Sequence, residues 1–122
     1  MIEDDIRELI GSKLPDSAVY SRLIPIHLPT CIVVLSDGGT PQTSSIRRAR
    51  HHITLLSIAA TQYSAKQALV QARDALIEGT PFDTASTHYY TATALADGSL
   101  TQKALNGPRY IESVDMEVVA SL

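Results

Sequence analysis

Cysteine, tryptophan and aromatics in general are scarce in this chain, and each shortage removes a class of explanation. Only one of the 122 residues, Cys31, is a cysteine. No intramolecular disulfide can form, and a lone thiol fits a reducing compartment. Aromatic residues make up 5% of the chain and tryptophan is absent. A core must therefore be built from Ile, Leu, Val and Ala, and a hydrophobic fraction of 44% is enough for a globular fold. No apolar run approaches the roughly 20 residues of a membrane-spanning helix. The opening residues, Met1-Ile-Glu-Asp-Asp5, are acidic where a signal peptide would be basic. These features lead us to expect a small soluble protein made in a cytoplasm. Basic residues are not in excess either. The formal net charge of -3 supplies no global electrostatic reason to hold nucleic acid.

Chemical signatures are equally sparse. The four histidines, His27, His51, His52 and His88, show no metal-ligand spacing with one another or with Cys31. Adjacent His51 and His52 on a strand would point to opposite faces. Asp37-Gly38-Gly39 is not followed by the Gly-x-x-x-x-Gly-Lys pattern of a phosphate loop, and no helix opens there. There is no Gly-x-Ser-x-Gly nucleophile elbow. We expect no enzyme, no metal and no cofactor.

What the chain does contain is packing information, concentrated between His52 and Gly79. The apolar run from His52 to Ala60 reads as a core strand. Ser64-Ala-Lys-Gln67 fits a capping box, with Tyr63 and Ala68 as a hydrophobic staple. Ala65, Ala68, Leu69, Ala72 and Leu76 then form an apolar stripe at helical spacing. Gly79 suits a left-handed cap, and Pro81 stops continuation. Ahead of this unit, residues 2–13 read as a helix with Ile2, Ile6, Leu9 and Ile10 on one face and Glu3, Asp4 and Asp5 in the first turn. Pro25 and Pro29 limit Ile26-His-Leu28 to a short or edge strand. Cys31 to Leu35 reads as a buried strand, ended by turn chemistry at Ser36-Asp-Gly-Gly-Thr-Pro41. Residues 40–45 carry no core pattern and suggest a protruding arm or hairpin. Thr87 to Ala94 reads as a further strand. A loop at 99–105 is bracketed by Asp97-Gly98 and Asn106-Gly-Pro108. In the last strand, from Tyr110, Val114, Met116 and Val118 face the core while Asp115 and Glu117 face out.

This order predicts an α+β fold in one domain spanning residues 1–122. A mixed sheet of four to five strands would carry two helices packed on one face. A crossover through the central helix should be right-handed if its flanking strands are parallel neighbours. The basic run Arg47-Arg48-x-Arg50 is the only charge cluster. Glu112, Asp115 and Glu117 read as a complementary acidic strand, so these residues, with Asp37, Gly38 and Gly39, form a candidate subunit or partner interface. A solvated loop is the plain alternative for the arginines.

The segments Ile32-Val-Val-Leu-Ser-Asp-Gly-Gly39, Ile53-Thr-Leu-Leu-Ser-Ile58 and Ser64-Ala-Lys-Gln-Ala-Leu-Val-Gln-Ala-Arg-Asp-Ala-Leu76 carry a resemblance. In this order they resemble the tail terminator, or tail completion, proteins of long-tailed bacteriophages, some known as minor capsid proteins. The likeness spans roughly residues 2–120, and the order of elements carries it. One departure is the basic run entering the central strand; the family's strand often carries its arginine further on, where this chain has Ser57. The resemblance implies a structural virion protein at the tail or neck, assembled in the host cytoplasm. It implies a ring, typically a hexamer, on the head-proximal end of a tail tube, which ends tube polymerisation and presents a head–tail joining surface. Its partners would be further copies of itself, the tail tube protein and the head–tail connector or stopper. It implies no membrane and no sequence-specific nucleic acid binding, with DNA passing through the ring lumen. Another connector, neck or tube-like subunit is the alternative, and a ligand-binding or enzymatic domain a more distant one.

Overall fold

The two longest strands pair along their full length, and the remaining elements are added around them. The computed structural model describes residues 2–24, 30–41, 48–95, 102–103 and 109–121. Its elements are α1 (Ile2–Lys13), β1 (Val19–Ser21), β2 (Cys31–Pro41), β3 (Arg48–Ala59), α2 (Gln62–Gly79), β4 (Phe82–Asp83), β5 (His88–Ala94), β6 (Gln102–Lys103) and β7 (Tyr110–Ser121). Strand β3 runs antiparallel to β7 from Arg48↔Ser121 to Ala59↔Tyr110. The sheet order is β1-β2-β3-β7-β5-β4, with β6 also on β7. Only the β1–β2 pair is parallel among these.

The expected α+β architecture with a mixed sheet is present, with more strands than anticipated. The additions are short: β1 has 3 residues, and β4 and β6 have 2 each. Strand β6 falls in the segment read as a loop, and β1 precedes the piece Ile26–Leu28, which lies outside the described residues. Strand β7 lies between β3 and β5. The strands flanking α2 are therefore not neighbours, and the condition set for a right-handed parallel crossover is not met.

Alternation divides the sheet into two faces. On one, Ile53 and Leu55 of β3, Val114, Met116 and Val118 of β7, and Ile32 and Val34 of β2 are buried with Ile6 and Ile10 of α1 and Leu69, Ala72 and Leu76 of α2. Burying each aliphatic side chain contributes about 1.5–3 kcal/mol. A smaller cluster of Cys31, Val33, Leu56 and Ile58 occupies one end of the opposite face. Burial raises the Cys31 thiol above its ordinary pKa, which makes it an inert packing group.

Three local readings need correction. The cap of α2 is Thr61, not Ser64: Thr61 is extended (φ -126, ψ 152) and its hydroxyl accepts from the Ser64 N–H at 3.1 Å. Tyr63 is 70% exposed and its hydroxyl accepts from Gln67 Nε2 at 2.7 Å, so neither the box nor the staple forms. At the other end Thr80 is the C-cap, with extended backbone, and Gly79 is the last helical residue. What glycine provides there is space, because a Cβ would stand 2.8 Å from Leu9 Cδ2 of α1 and would have to push that side chain aside. Finally, Ser36 to Pro41 is not a break. Strand β2 continues through it with a register shift between Ser36 and Gly39, and then pairs Gly39↔His51, Thr40↔Arg50 and Pro41↔Ala49. A β-bulge admits the same glycines a turn would, and the rest of the expected arm or hairpin, residues 42–45, lies outside the described residues.

The first turn of α1 is tied down by its acids. Asp4 accepts from the Ser21 hydroxyl at 2.8 Å and meets Arg22 at 3.3 Å, and these partners hold its carboxyl below the usual range. The Tyr89 hydroxyl donates to Asp5. Arg22 adopts φ 71, a left-handed conformation uncommon outside glycine.

Candidate interaction surface

The face of the sheet turned away from both helices carries most of the charged candidates, and strand parity decides which. On β3, Arg48, Arg50, His52 and Thr54 alternate with the inward Ala49, His51, Ile53 and Leu55. On β7, Asp115 and Glu117 lie between the inward Val114, Met116 and Val118. His51 and His52 thus point to opposite faces, as expected. Register then sets Thr54 opposite Asp115 and His52 opposite Glu117.

The charges meet inside one chain. Arg50 Nε approaches Glu117 Oε1 at 4.0 Å, and His52 Nε2 approaches Asp115 Oδ1 at 3.9 Å, both on the diagonal between strands. The Thr54 hydroxyl donates to Asp115 Oδ1 at 3.0 Å. The Arg50 side chain is 60% exposed and that of Asp115 54%, so each pair is worth about 0–1 kcal/mol. Groups held this loosely can exchange to a partner at little cost. Exposed Thr91 and Thr93 of β5 extend the polar face.

Arg48 sits differently. Its guanidinium lies 4.2 Å from the centre of the Tyr90 ring, and the His88 ring meets Tyr90 edge-on at 4.4 Å. His88 in turn pairs with Asp83 through Nδ1. This Arg–Tyr–His–Asp row lies toward the β4 edge. Sequence reading missed Tyr90, His88, Asp83, His52 and Thr54. The usable signal was β3–β7 parity; their convergence depends on β5 lying against β7.

Glu112 overturns its sequence reading. It is fully buried on the helix side of the sheet, opposite Ser57. The Ser57 hydroxyl donates to the Ala65 carbonyl in the first turn of α2. The positive end of that helix favours a carboxylate nearby. Glu112 thus belongs to the interior and cannot form part of an outward acidic strand. Asp37, Gly38 and Gly39 contribute backbone to the bulged part of β2, away from β7. Arg47 lies outside the described residues. Among the described residues no group of three or more His, Cys, Asp or Glu could hold a metal ion, and no helix is long and apolar enough to cross a membrane.

No family model matches the chain. None of the curated proteins matches it either. Solved structures do. A chain in a structure described as the virion of a native gene transfer agent particle superposes with a TM-score of 0.63. The match covers 93% of this chain and 85% of that one at 17% identity. At that identity the likeness establishes a shared fold.

Proposed function

We propose that this chain is a structural protein of a phage-like virion, and specifically a tail terminator. In this reading copies of the chain close into a ring, six to the ring, at the head-proximal end of a tail tube. The ring ends tube polymerisation and offers its far side to the head–tail connector. It resides in the neck of the particle and is assembled in the host cytoplasm. One observation carries the reading: the fold is shared over 93% of the chain with a chain of a gene transfer agent virion. The open polar face supports it, because loosely paired charges of both signs can set register between copies while contributing little affinity. A head-to-tail contact of unlike patches closes a ring when its rotation closes.

Arg47, Arg48 and Arg50 with Asp115 and Glu117 are the proposed contact residues, and the backbone at Asp37 to Gly39 flanks them. The role is structural, with no catalytic step. Tube length tests the proposal. Tails assembled without this protein should be overlong by electron microscopy, and adding it back should restore a uniform length. Tubes of normal length that fail to join heads would instead identify a connector.

A further inference from the structure

Arg22, Arg50 and Arg73 are each answered inside the chain, within 4.0 Å of Asp4, Glu117 and Asp74 respectively. Arg48 meets no carboxylate among the described residues. Its guanidinium is held instead 4.2 Å from the centre of the Tyr90 ring, and the His88 ring braces Tyr90 edge-on at 4.4 Å. Asp83, the acid of that row, is engaged by His88 Nδ1. Arg48 Nε is buried and has no hydrogen-bond partner among the described residues. A buried donor without an acceptor is costly. Stacking fixes the plane of the guanidinium fork, so little freedom is lost when an acceptor arrives, and partial burial leaves less water to displace. Such a fork matches a carboxylate or a phosphate. Its surroundings favour the carboxylate. Asp115 and Glu117 stand on the same face, and an extended polyphosphate would meet their negative charges.

We propose that Arg48, stacked on Tyr90, is the receptor for a side-chain carboxylate of a second copy of this chain. Acids are in surplus, 13 against 10 basic residues. Glu8 of α1 and Glu78 of α2 are exposed and form no ion pair among the described residues. Both belong to the helix layer, on the other side of the sheet from Arg48. A carboxylate delivered from there joins unlike surfaces, so each copy in a chain of contacts offers one receptor and one donor. Arg48 is thus the anchor of the proposed assembly of copies, on which its role rests. Arg50 must first leave Glu117 to serve a neighbour.

Sedimentation of the full chain, with circular dichroism as the check on folding, tests this. Arg48→Gln should weaken self-association about tenfold, the worth of one charge-assisted hydrogen bond, and Arg50→Gln by less than about threefold. A charge exchange is the decisive measurement. Copies carrying Arg48→Glu should fail to associate alone, and so should copies carrying Glu8→Arg or Glu78→Arg, whichever residue is the donor, because like charges then meet at the contact. Mixing the two failing variants should restore association, since every contact then joins opposite charges. A misfolded variant could not be rescued in this way. Unchanged association in Arg48→Gln, or rescue from neither mixture, overturns the proposal, while closed wild-type rings would leave the ring reading standing. Open wild-type assemblies would overturn the ring, and the exchange would still judge Arg48. A wild-type chain that stays monomeric overturns the second copy as the occupant, and tube length then judges the terminator reading by itself. Binding of the wild type to a short DNA duplex at about 0.15 M salt, lost in Arg48→Gln, would make the ligand a phosphate and overturn the carboxylate.

Discussion

Two glycines show how little a residue type says without its surroundings. Gly11 lies inside α1, and a Cβ there would meet nothing within 4 Å. Gly11→Ala should stabilise the protein by about 0.5–1 kcal/mol, the ordinary helix penalty of glycine. At Gly79 the same change drives a methyl against Leu9, so the gain should vanish or reverse. Urea midpoints of the two variants check this, and equal stabilisation would disprove the close approach of α1 to α2. His51 makes a second residue-scale case. Burial lowers its folded pKa below the ordinary 6.5, with Glu3 opposing in part. As pH falls, the unfolded chain takes up this proton first, and stability falls with it. Its contribution is complete above about pH 6.5 and declines below, until the folded imidazole also protonates. His51→Gln should flatten the urea midpoint between about pH 7.5 and 5.5 relative to wild type. An unchanged slope would place His51 in water.

Helix α2 shows the same dependence at the scale of an element. Ser64 and Gln67 have the spacing of a capping box, yet the helix starts three residues earlier at Thr61. The sheet decides the start. Ser57 at the end of β3 ties to the Ala65 carbonyl, which fixes where the first turn lies. Thr61→Ala should therefore cost about 1 kcal/mol, while Ser64→Ala should cost only a few tenths. Denaturant unfolding of both variants distinguishes the caps. The apolar stripe was legible because helical spacing is local: Ala65, Leu69, Ala72 and Leu76 are buried as read. Ala75 is buried too, whereas Ala68 is half-buried, a rotation that only the neighbouring sheet imposes. Strand β2 was legible up to Leu35. Its continuation past Gly38 and Gly39 depends on β3 being there to pair with it.

For the whole molecule, the proposed ring makes the open face the place where assembly can be tested. Replacing Arg47, Arg48 and Arg50 by Glu should leave the far-ultraviolet circular dichroism unchanged, since the Arg50–Glu117 pair adds at most about 1 kcal/mol. Ring formation or tube capping should nevertheless fail, because the reversed charges repeat around every contact. Sedimentation and electron microscopy check this, and normal rings with normally ended tubes would return the arginines to a solvated surface.

The pattern of apolar residues along the chain was enough to determine α1, the core stretches of β2 up to Leu35 and of β3 from His52, the strands β5 and β7, and the inward row Val114, Met116 and Val118. Each of these follows from a period of 3.6 or 2 within a few residues. The same period, carried back two positions from Val114, already places Glu112 inside; its charge argued the other way. Only the tertiary structure decided between them, by setting Ser57 and the first turn of α2 beside it. The tertiary structure also inserted β7 between β3 and β5 and thereby turned Arg50 and Glu117 into neighbours in one chain. Period fixes which way a side chain points, whereas strand order depends on contacts between residues far apart in sequence, for which no local pattern exists.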